Sequence, residues 1–258
     1  MKSVVRQASK VVFAGLDVFA RRLDGPRILI YHQVGGGSGL EMEVEPGTFR
    51  RHLDWIADHL EVKHLDTAIA DGDGVVLTFD DGYRSLYEVA YPLLRERGMP
   101  FTLYLTTDPV ESGRPMRDHP GADPLTWDHV REMRDSGLLT LGAHTHTHPD
   151  FRHLDVPDIE QEVDRSDELI EERTGIRPRH FAYPWGYWAE PAHHVVGTRY
   201  EYSALGSPLP WHRSATPDLL YRIPVQLSDG FVWFTRRIRS GLLYEEWLRR
   251  RLRGYRGP

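Results

Sequence analysis

From Arg27 to Val225 the chain alternates short β-branched and aromatic runs with stretches whose apolar positions recur at helical spacing. This alternation restricts the fold more than any other feature. Arg27–Tyr31, Val75–Phe79, Phe101–Thr106, Leu138–Ala143 and His180–Tyr183 read as strands, with a short one near Val62 and weaker ones at Tyr200–Ala204 and Arg222–Val225. Between them, Phe49, Leu53, Ile56 and Leu60 predict a helix from Pro46 to Leu60. Leu86, Val89, Ala90, Leu93 and Leu94 mark a second that ends at Gly98 with a kink at Pro92. Trp127, Val130 and Met133 place a third between Thr126 and Ser136, and Asp155 caps a long fourth that Ile159, Val163 and Ile170 carry to Gly175. A final helix is expected from Tyr244 to Arg253. Strand alternating with helix predicts an α/β fold, either a barrel or a doubly wound sheet, of about seven units. With no low-complexity linker and no internal repeat, the 258-residue chain reads as one domain, large enough to bury a substantial core.

Residues 1–26 stand apart. They predict an amphipathic helix from about Ser3 to Arg22, with Val5, Val12, Leu16 and Phe19 on one side and basic residues elsewhere. Basic residues followed by an apolar run is the order of a signal peptide, but Asp17 interrupts the run and no small-residue cleavage signal follows. The expectation is therefore a cytoplasmic protein. Its first helix docks on the domain at 27–258 or rests peripherally on the inner face of a membrane, aided by the basic tail Trp247–Arg253. No run approaches the ~20 apolar residues that cross a bilayer. A net charge of -6 favours no nucleic-acid partner.

Cysteine is absent, which removes disulfides, thiolate metal sites and cysteine nucleophiles, so any metal must be held by His, Asp or Glu. Histidine appears 14 times, and its placement matters. His32, Asp80-Asp81, His144 and Pro184-Trp185-Gly186 each follow the C-terminal end of a predicted strand, the face on which barrel enzymes assemble their active sites. Neighbouring residues on extended backbone point in opposite directions, so Asp80 and Asp81 do not suit a glycosidase carboxylate pair. They read either as two carboxylates with different tasks or as an Asp-Gly turn. The run His144-Thr145-His146-Thr147-His148 reads as a metal site or as an exposed polar loop. His144 and His148 share a face if the segment turns like a helix, and all three histidines do if it is extended. Two histidines and a carboxylate leave coordination positions open. They serve metal-assisted hydrolysis, with a second carboxylate as base, or a non-haem iron oxygenase. No serine sits in a G-x-S-x-G elbow, which disfavours a serine esterase.

In order, Thr78-Phe79-Asp80-Asp81-Gly82-Tyr83, His144-Thr145-x-x-His148 and Phe181-Ala182-Tyr183-Pro184-Trp185-Gly186 resemble the successive motifs of the polysaccharide deacetylase (NodB-homology, family 4 carbohydrate esterase) family. The resemblance spans roughly Ile28 to Val225. It implies a single-domain distorted (β/α) barrel and a metal-dependent hydrolase that removes N-acetyl groups from N-acetylglucosamine-type residues of a polysaccharide or lipid-linked glycan. The implied cofactor is a divalent ion, zinc first, with cobalt, nickel, manganese or iron as alternatives. Carried over by position, Asp81, His144 and His148 become metal ligands and Asp80 the general base, while His146 falls between the ligands as a neighbour. Two departures stand out. Ala182 occupies the place of the family's base-orienting arginine, and no late Leu-x-His acid motif is present. The chain is similar instead to the poly-N-acetylglucosamine deacetylase branch, whose acid histidine comes early. This implies His32 as general acid. Arg222 reads either as the replacement partner of Asp80 or another site carboxylate, or as half of an ordinary surface ion pair. The Trp185 backbone N–H is the expected oxyanion donor, and Tyr83, Pro184, Tyr187 and Trp188 are expected substrate contacts. The alternative is a catalytically degenerate carbohydrate-binding member of the same fold.

Overall fold

The computed structural model describes residues 25–117, 119–206 and 218–240. The expected helices at the two ends of the chain, with their membrane contact, lie outside the described residues. Eight strands form one sheet in the order β10-β1-β4-β5-β6-β7-β8-β9, every neighbouring pair parallel. They are β1 Arg27–Tyr31, β4 Val75–Asp81, β5 Phe101–Leu105, β6 Leu139–Ala143, β7 His180–Ala182, β8 Tyr202–Leu205, β9 Leu219–Tyr221 and β10 Ile223–Pro224. Only Arg222 separates β9 from β10, yet β9 pairs with β8 and β10 with β1. This one run of chain joins the first strand to the last, so the sheet is a nearly closed barrel rather than an open doubly wound sheet. A small parallel pair, β2 Gln33–Val34 and β3 Glu43–Val44, sits beside it.

Strand parity divides the core in two. Leu29, Leu77, Leu103, Leu141, Phe181, Leu205 and Leu219 belong to the larger apolar cluster, which packs under the helices. The alternate residues Ile28, Val76, Tyr104, Ala182, Ala204 and Leu220 belong to a separate cluster that fills the barrel and is plugged by Leu65 and Ala68. The helices are α1 Pro46–His59, α2 Leu65–Asp71, α3 Tyr91–Glu96, α4 Thr107–Ser112, α5 Trp127–Asp135, α6 Val156–Thr174, α7 Glu190–Gly197 and α8 Gly230–Ser240.

The longest of these follow the sequence pattern closely. The Asp155 carboxylate accepts from the Asp158 N–H at the start of α6, and Gly175 ends it at φ 73°. The irregularity expected at Pro92 lies just before it: a π-helical turn, Leu86–Ala90, runs into α3, because proline supplies no N–H for an α-helical bond. Near Val62 there is a single bridge to Val75 rather than a strand. The short α2, α4 and α7 and the late α8 were not legible from periodicity, since six to eleven residues hold too few apolar positions to establish a period. The glycine-rich loop Gly35–Gly39 is organised by one side chain. The Glu43 carboxylate accepts from the N–H groups of Gly37, Ser38 and Gly39 and from the Ser38 hydroxyl.

α8 packs on α1 through His52, whose ring lies 3.5 Å from that of Phe234 at 6°. His52 Nδ1 faces the Tyr31 hydroxyl at 3.3 Å. Burial pushes the His52 pKa down to about 3, against the opposing pull of the Asp229 carboxylate. A depressed histidine pKa contributes stability that is complete above the unfolded value, near 6.5, and is lost as the pH falls toward the folded one. We therefore expect the wild-type protein to lose up to about 2 kcal/mol more unfolding free energy than His52→Gln between about pH 7 and pH 5. Urea unfolding at the two pH values checks this, and equal losses in the two proteins would contradict it.

Candidate metal centre and active-site cleft

Thr78 and Asp80 continue the inward-facing series of β4, in register with Thr102 and Tyr104 of β5. By strand parity Asp81 would face the helices. It does not, because its backbone adopts φ 71° and turns the carboxylate back over the barrel mouth beside its neighbour's. Gly82 follows at φ 94°, where a Cβ would lie 2.6 Å from Leu105 Cδ1, so the turn needs a residue without a side chain. Two adjacent aspartates thus serve one site, which an extended backbone would forbid.

Asp80 is gripped from across the barrel. Arg222 donates from Nη1 to Oδ1 at 2.7 Å and from Nη2 to Oδ2 at 2.8 Å, a bidentate pair in which the two residues are 1% and 4% exposed. The guanidinium also bonds the Thr78 hydroxyl and the Leu205 carbonyl, and it lies over the Tyr104 ring at 5.0 Å. Tyr104 fits there because Gly142 on the next strand leaves room; a Cβ at Gly142 would meet its ring at 2.7 Å. Burial pushes the Asp80 pKa up, but Arg222 and His144 outweigh it and hold the carboxyl below its usual range.

Asp81, His144 and His148 place one ligand atom each within 4.8 Å of one another. Both imidazole Nε2 atoms lie 3.4 Å from Asp81 Oδ1, and that buried oxygen has no hydrogen-bond partner. His144 Nδ1 donates to the Ala182 carbonyl at 2.7 Å. In a neutral ring that bond leaves Nε2 as a lone pair aimed at another acceptor, an arrangement that needs a cation between them. Without a metal the cation is a proton: burial disfavours it on His144, yet the Asp81 and Asp80 carboxylates move the pKa up overall. His148 is shifted the other way, to about 4, by burial. The donor set, two neutral nitrogens and a carboxylate at a buried unpaired oxygen, fits a divalent ion.

The backbone around this triad is strained. Among the described residues the only non-glycine positions at positive φ are Asp81, Thr145, His148 and Trp185, all at the site. Contacts from neighbouring elements hold the histidine segment. Glu162 of α6 accepts from the His146 and Thr147 N–H groups and from the Thr147 hydroxyl, and the His148 N–H donates to Thr145 Oγ1. His146 points away from the triad, with Nδ1 2.9 Å from the Thr107 hydroxyl.

His32, just beyond β1, is half-buried beside both aspartates, Arg222 and His144; burial moves its pKa down against the pull of the carboxylates. Pro184 is buried and starts the turn that carries Trp185, whose ring is 5.4 Å from that of His148. The bonds of that turn run from Gly186 N–H to the Tyr183 carbonyl and from Tyr187 N–H to the Pro184 carbonyl, and the Trp185 N–H is not in either. A cleft of about 820 Å³ opens from His148 and Trp185, walled by Tyr187, Arg152, Asp108, Arg114 and Arg117. Trp188 packs toward the core and His193, and Tyr83 is buried with its hydroxyl 2.9 Å from His119 Nδ1, so neither side chain lines the cleft.

Residues 68–202 match the polysaccharide deacetylase family model. The chain belongs to the polysaccharide deacetylase family. It is 26% identical over 172 residues to YxkH of Bacillus subtilis (strain 168), a protein assigned to the same family; the match covers 63% of this chain and 57% of YxkH. Among solved structures, the fold is similar to that of IcaB from Ammonifex degensii, with a TM-score of 0.69, 24% identity and coverage of 80% of this chain and 94% of that one. It is also similar to the polysaccharide deacetylase BC0361 from Bacillus cereus, with a TM-score of 0.71, 20% identity and coverage of 85% and 70%.

Within this polysaccharide deacetylase barrel, Ala182 and Ala204 face inward on adjacent strands. No arginine at position 182 is needed to reach Asp80, because Arg222 arrives from the β9–β10 junction. Sequence reasoning missed Thr78, Tyr104 and Gly142 as the supports of Arg222, and Glu162 as the brace of the histidine segment. Their signal is the inward register of the strands and a carboxylate one helix away, neither of which has a motif. Arg222→Met should destabilise the protein by about 3–5 kcal/mol by stranding a buried carboxylate, and by less at low pH, where Asp80 can protonate. Adding Asp80→Asn should recover part of the loss. Denaturant unfolding measures this, and a variant within about 0.5 kcal/mol of wild type would contradict the account.

Proposed function

We propose that this protein is a metal-dependent carbohydrate de-N-acetylase, which hydrolyses the acetamide of N-acetylglucosamine-type residues in a polysaccharide or lipid-linked glycan. The observation that carries this reading is the convergence of Asp81, His144 and His148 with the Asp80–Arg222 pair and His32 at one end of the barrel. A divalent ion bound by the three ligands, zinc by the chemistry of the donors, would lower the pKa of water and polarise the acetamide carbonyl.

Each remaining task falls to a residue of this chain. Asp80, held ionised by Arg222, accepts the proton of the attacking water; so stabilised a carboxylate is a weak base, effective only toward a water already made acidic. The Trp185 N–H, unspent in its own turn, donates to the developing oxyanion. The proton that Asp80 takes from water is relayed to His32, whose pKa burial moves down against the pull of the nearby carboxylates, and the imidazolium so formed delivers it to the departing nitrogen and leaves Asp80 ionised again. The C–N bond breaks, water supplies the oxygen of acetate, and a neutral amine leaves. The Trp185 ring, 48% exposed at the rim, and Tyr187 offer faces on which a sugar stacks.

Acetate release from acetylated chito-oligosaccharides tests the proposal. We expect turnover with added Zn²⁺ or Co²⁺, loss of turnover on chelation and recovery on metal return. His32→Ala and Asp80→Asn should each lower kcat by at least about 100-fold while bound metal, measured by elemental analysis, stays at the wild-type level. Dependence on Fe(II), O₂ and a cosubstrate, or binding of the glycan with no acetate released, would overturn the reading.

A further inference from the structure

The cleft that leads away from His148 is unevenly charged. Besides His148, its charged wall residues are Asp108, Arg114, Arg117, Asp150 and Arg152. Asp150 and Arg152 are committed to each other: the Arg152 guanidinium reaches both Asp150 oxygens and lies 3.8 Å over the Tyr187 ring. Arg114 and Arg117 are exposed on the opposite wall, and no carboxylate among the described residues pairs with either. Elsewhere the described arginines are commonly paired, as in Arg97 with Asp54, Arg173 with Glu111, Arg179 with Glu201 and Arg199 with Asp164. Two guanidinium groups thus face one free carboxylate, Asp108, in a chain whose net charge is -6.

The segment that bears them is anchored. Met116, between the two arginines, is buried, and its carbonyl accepts from the His119 N–H. The His119 ring bonds the Tyr83 hydroxyl, which ties the segment to the turn that follows Asp80 and Asp81 at the end of β4. The Arg114 N–H donates to the Ser112 hydroxyl at the other end. Backbone bonds at Arg114 and Met116 thus tie this segment to the Tyr83 side of the site. Guanidinium groups recognise carboxylate and phosphate oxygens by paired N–H donors.

We propose that Arg114 and Arg117 form an anion-binding subsite of the cleft, which selects glycans carrying a carboxylate or phosphate group next to the acetylated sugar. The inference rests on the proposed function only for where that sugar lies. It narrows the substrate class from neutral N-acetylated polymers to anionic ones, such as glycans with lactyl carboxylates or sugars linked through a diphosphate.

Equilibrium binding to the full-length, metal-loaded protein tests this, measured by calorimetry at low and high salt. The probes are neutral N-acetylglucosamine oligosaccharide, an N-acetylglucosamine–N-acetylmuramic acid disaccharide and nucleoside-diphosphate N-acetylglucosamine. We expect at least one anionic probe to bind about tenfold more tightly than the neutral one at low salt, with the margin shrinking as salt rises. Arg114→Ala/Arg117→Ala should bring the ratio to about one, and Arg114→Lys/Arg117→Lys should retain part of it. Preference for the carboxylate or for the diphosphate probe tells the two sources apart. A wild-type ratio near one, or a ratio unchanged in the double alanine variant, would overturn the subsite even if the neutral oligosaccharide is deacetylated. A ratio that depends on the arginines while no probe releases acetate would support the subsite and count against the deacetylase reading.

Discussion

Inside a nearly closed barrel a carboxylate remains ionised only if something replaces its water, and here that is one guanidinium. Arg222 meets both oxygens of Asp80, and two further donors go to the Thr78 hydroxyl and the Leu205 carbonyl. Arg222 is also the residue at which the chain leaves its pairing with β8 and begins its pairing with β1. Closing the barrel and satisfying its buried acid are therefore one event. Small residues at Gly142, Ala182 and Ala204 give the guanidinium and the Tyr104 ring their space. A buried pair of this kind adds little net stability compared with an apolar replacement, but losing one partner is costly. Its value lies in keeping a charged carboxylate at the barrel mouth.

Around this pair the backbone is bent where chemistry requires it. The positive φ of Asp81 reverses the strand's alternation and lets consecutive aspartates face one site, one bound to Arg222 and the other facing the two histidines at 3.4 Å. Thr145, His148 and Trp185 adopt similarly unfavourable conformations, each on a loop that follows a strand end. Strain of this sort costs on the order of 1–3 kcal/mol per residue, and it persists because Glu162 and the Gly186–Gly206 backbone contact hold the loops from outside and the Thr145 hydroxyl braces the histidine loop from within.

Much of this was legible in the sequence, for identifiable reasons. Strand runs such as Val75–Phe79 and caps such as Asp155 and Gly175 are local signals, and the structure reproduces them to within a residue or two. The site residues Asp80, Asp81, His144 and His148 could be located because polar groups at strand ends are conspicuous on an apolar framework. Parity, however, argues for opposite directions at Asp80 and Asp81, and only the backbone reversal at Asp81 brings them together. Spacing could not separate His146 from its neighbours; the turn at Thr145 does, and it sends the middle imidazole to Thr107. The placement of Tyr83 and Trp188 in packing rather than on the cleft wall, and of Arg114 and Arg117 on it, depends on how loops fold back over the barrel. Tertiary contacts far apart in sequence decide that, and no local pattern records it.

The central claim is that Asp81, His144 and His148 form the seat of one divalent ion. Anomalous diffraction from crystals equilibrated with Zn²⁺ measures this directly. The account predicts a single strong peak among the three side chains, at about 2.0–2.2 Å from Asp81 oxygen and both Nε2 atoms, and its disappearance in Asp81→Asn. No peak at the triad, or one bound by other residues, would contradict it.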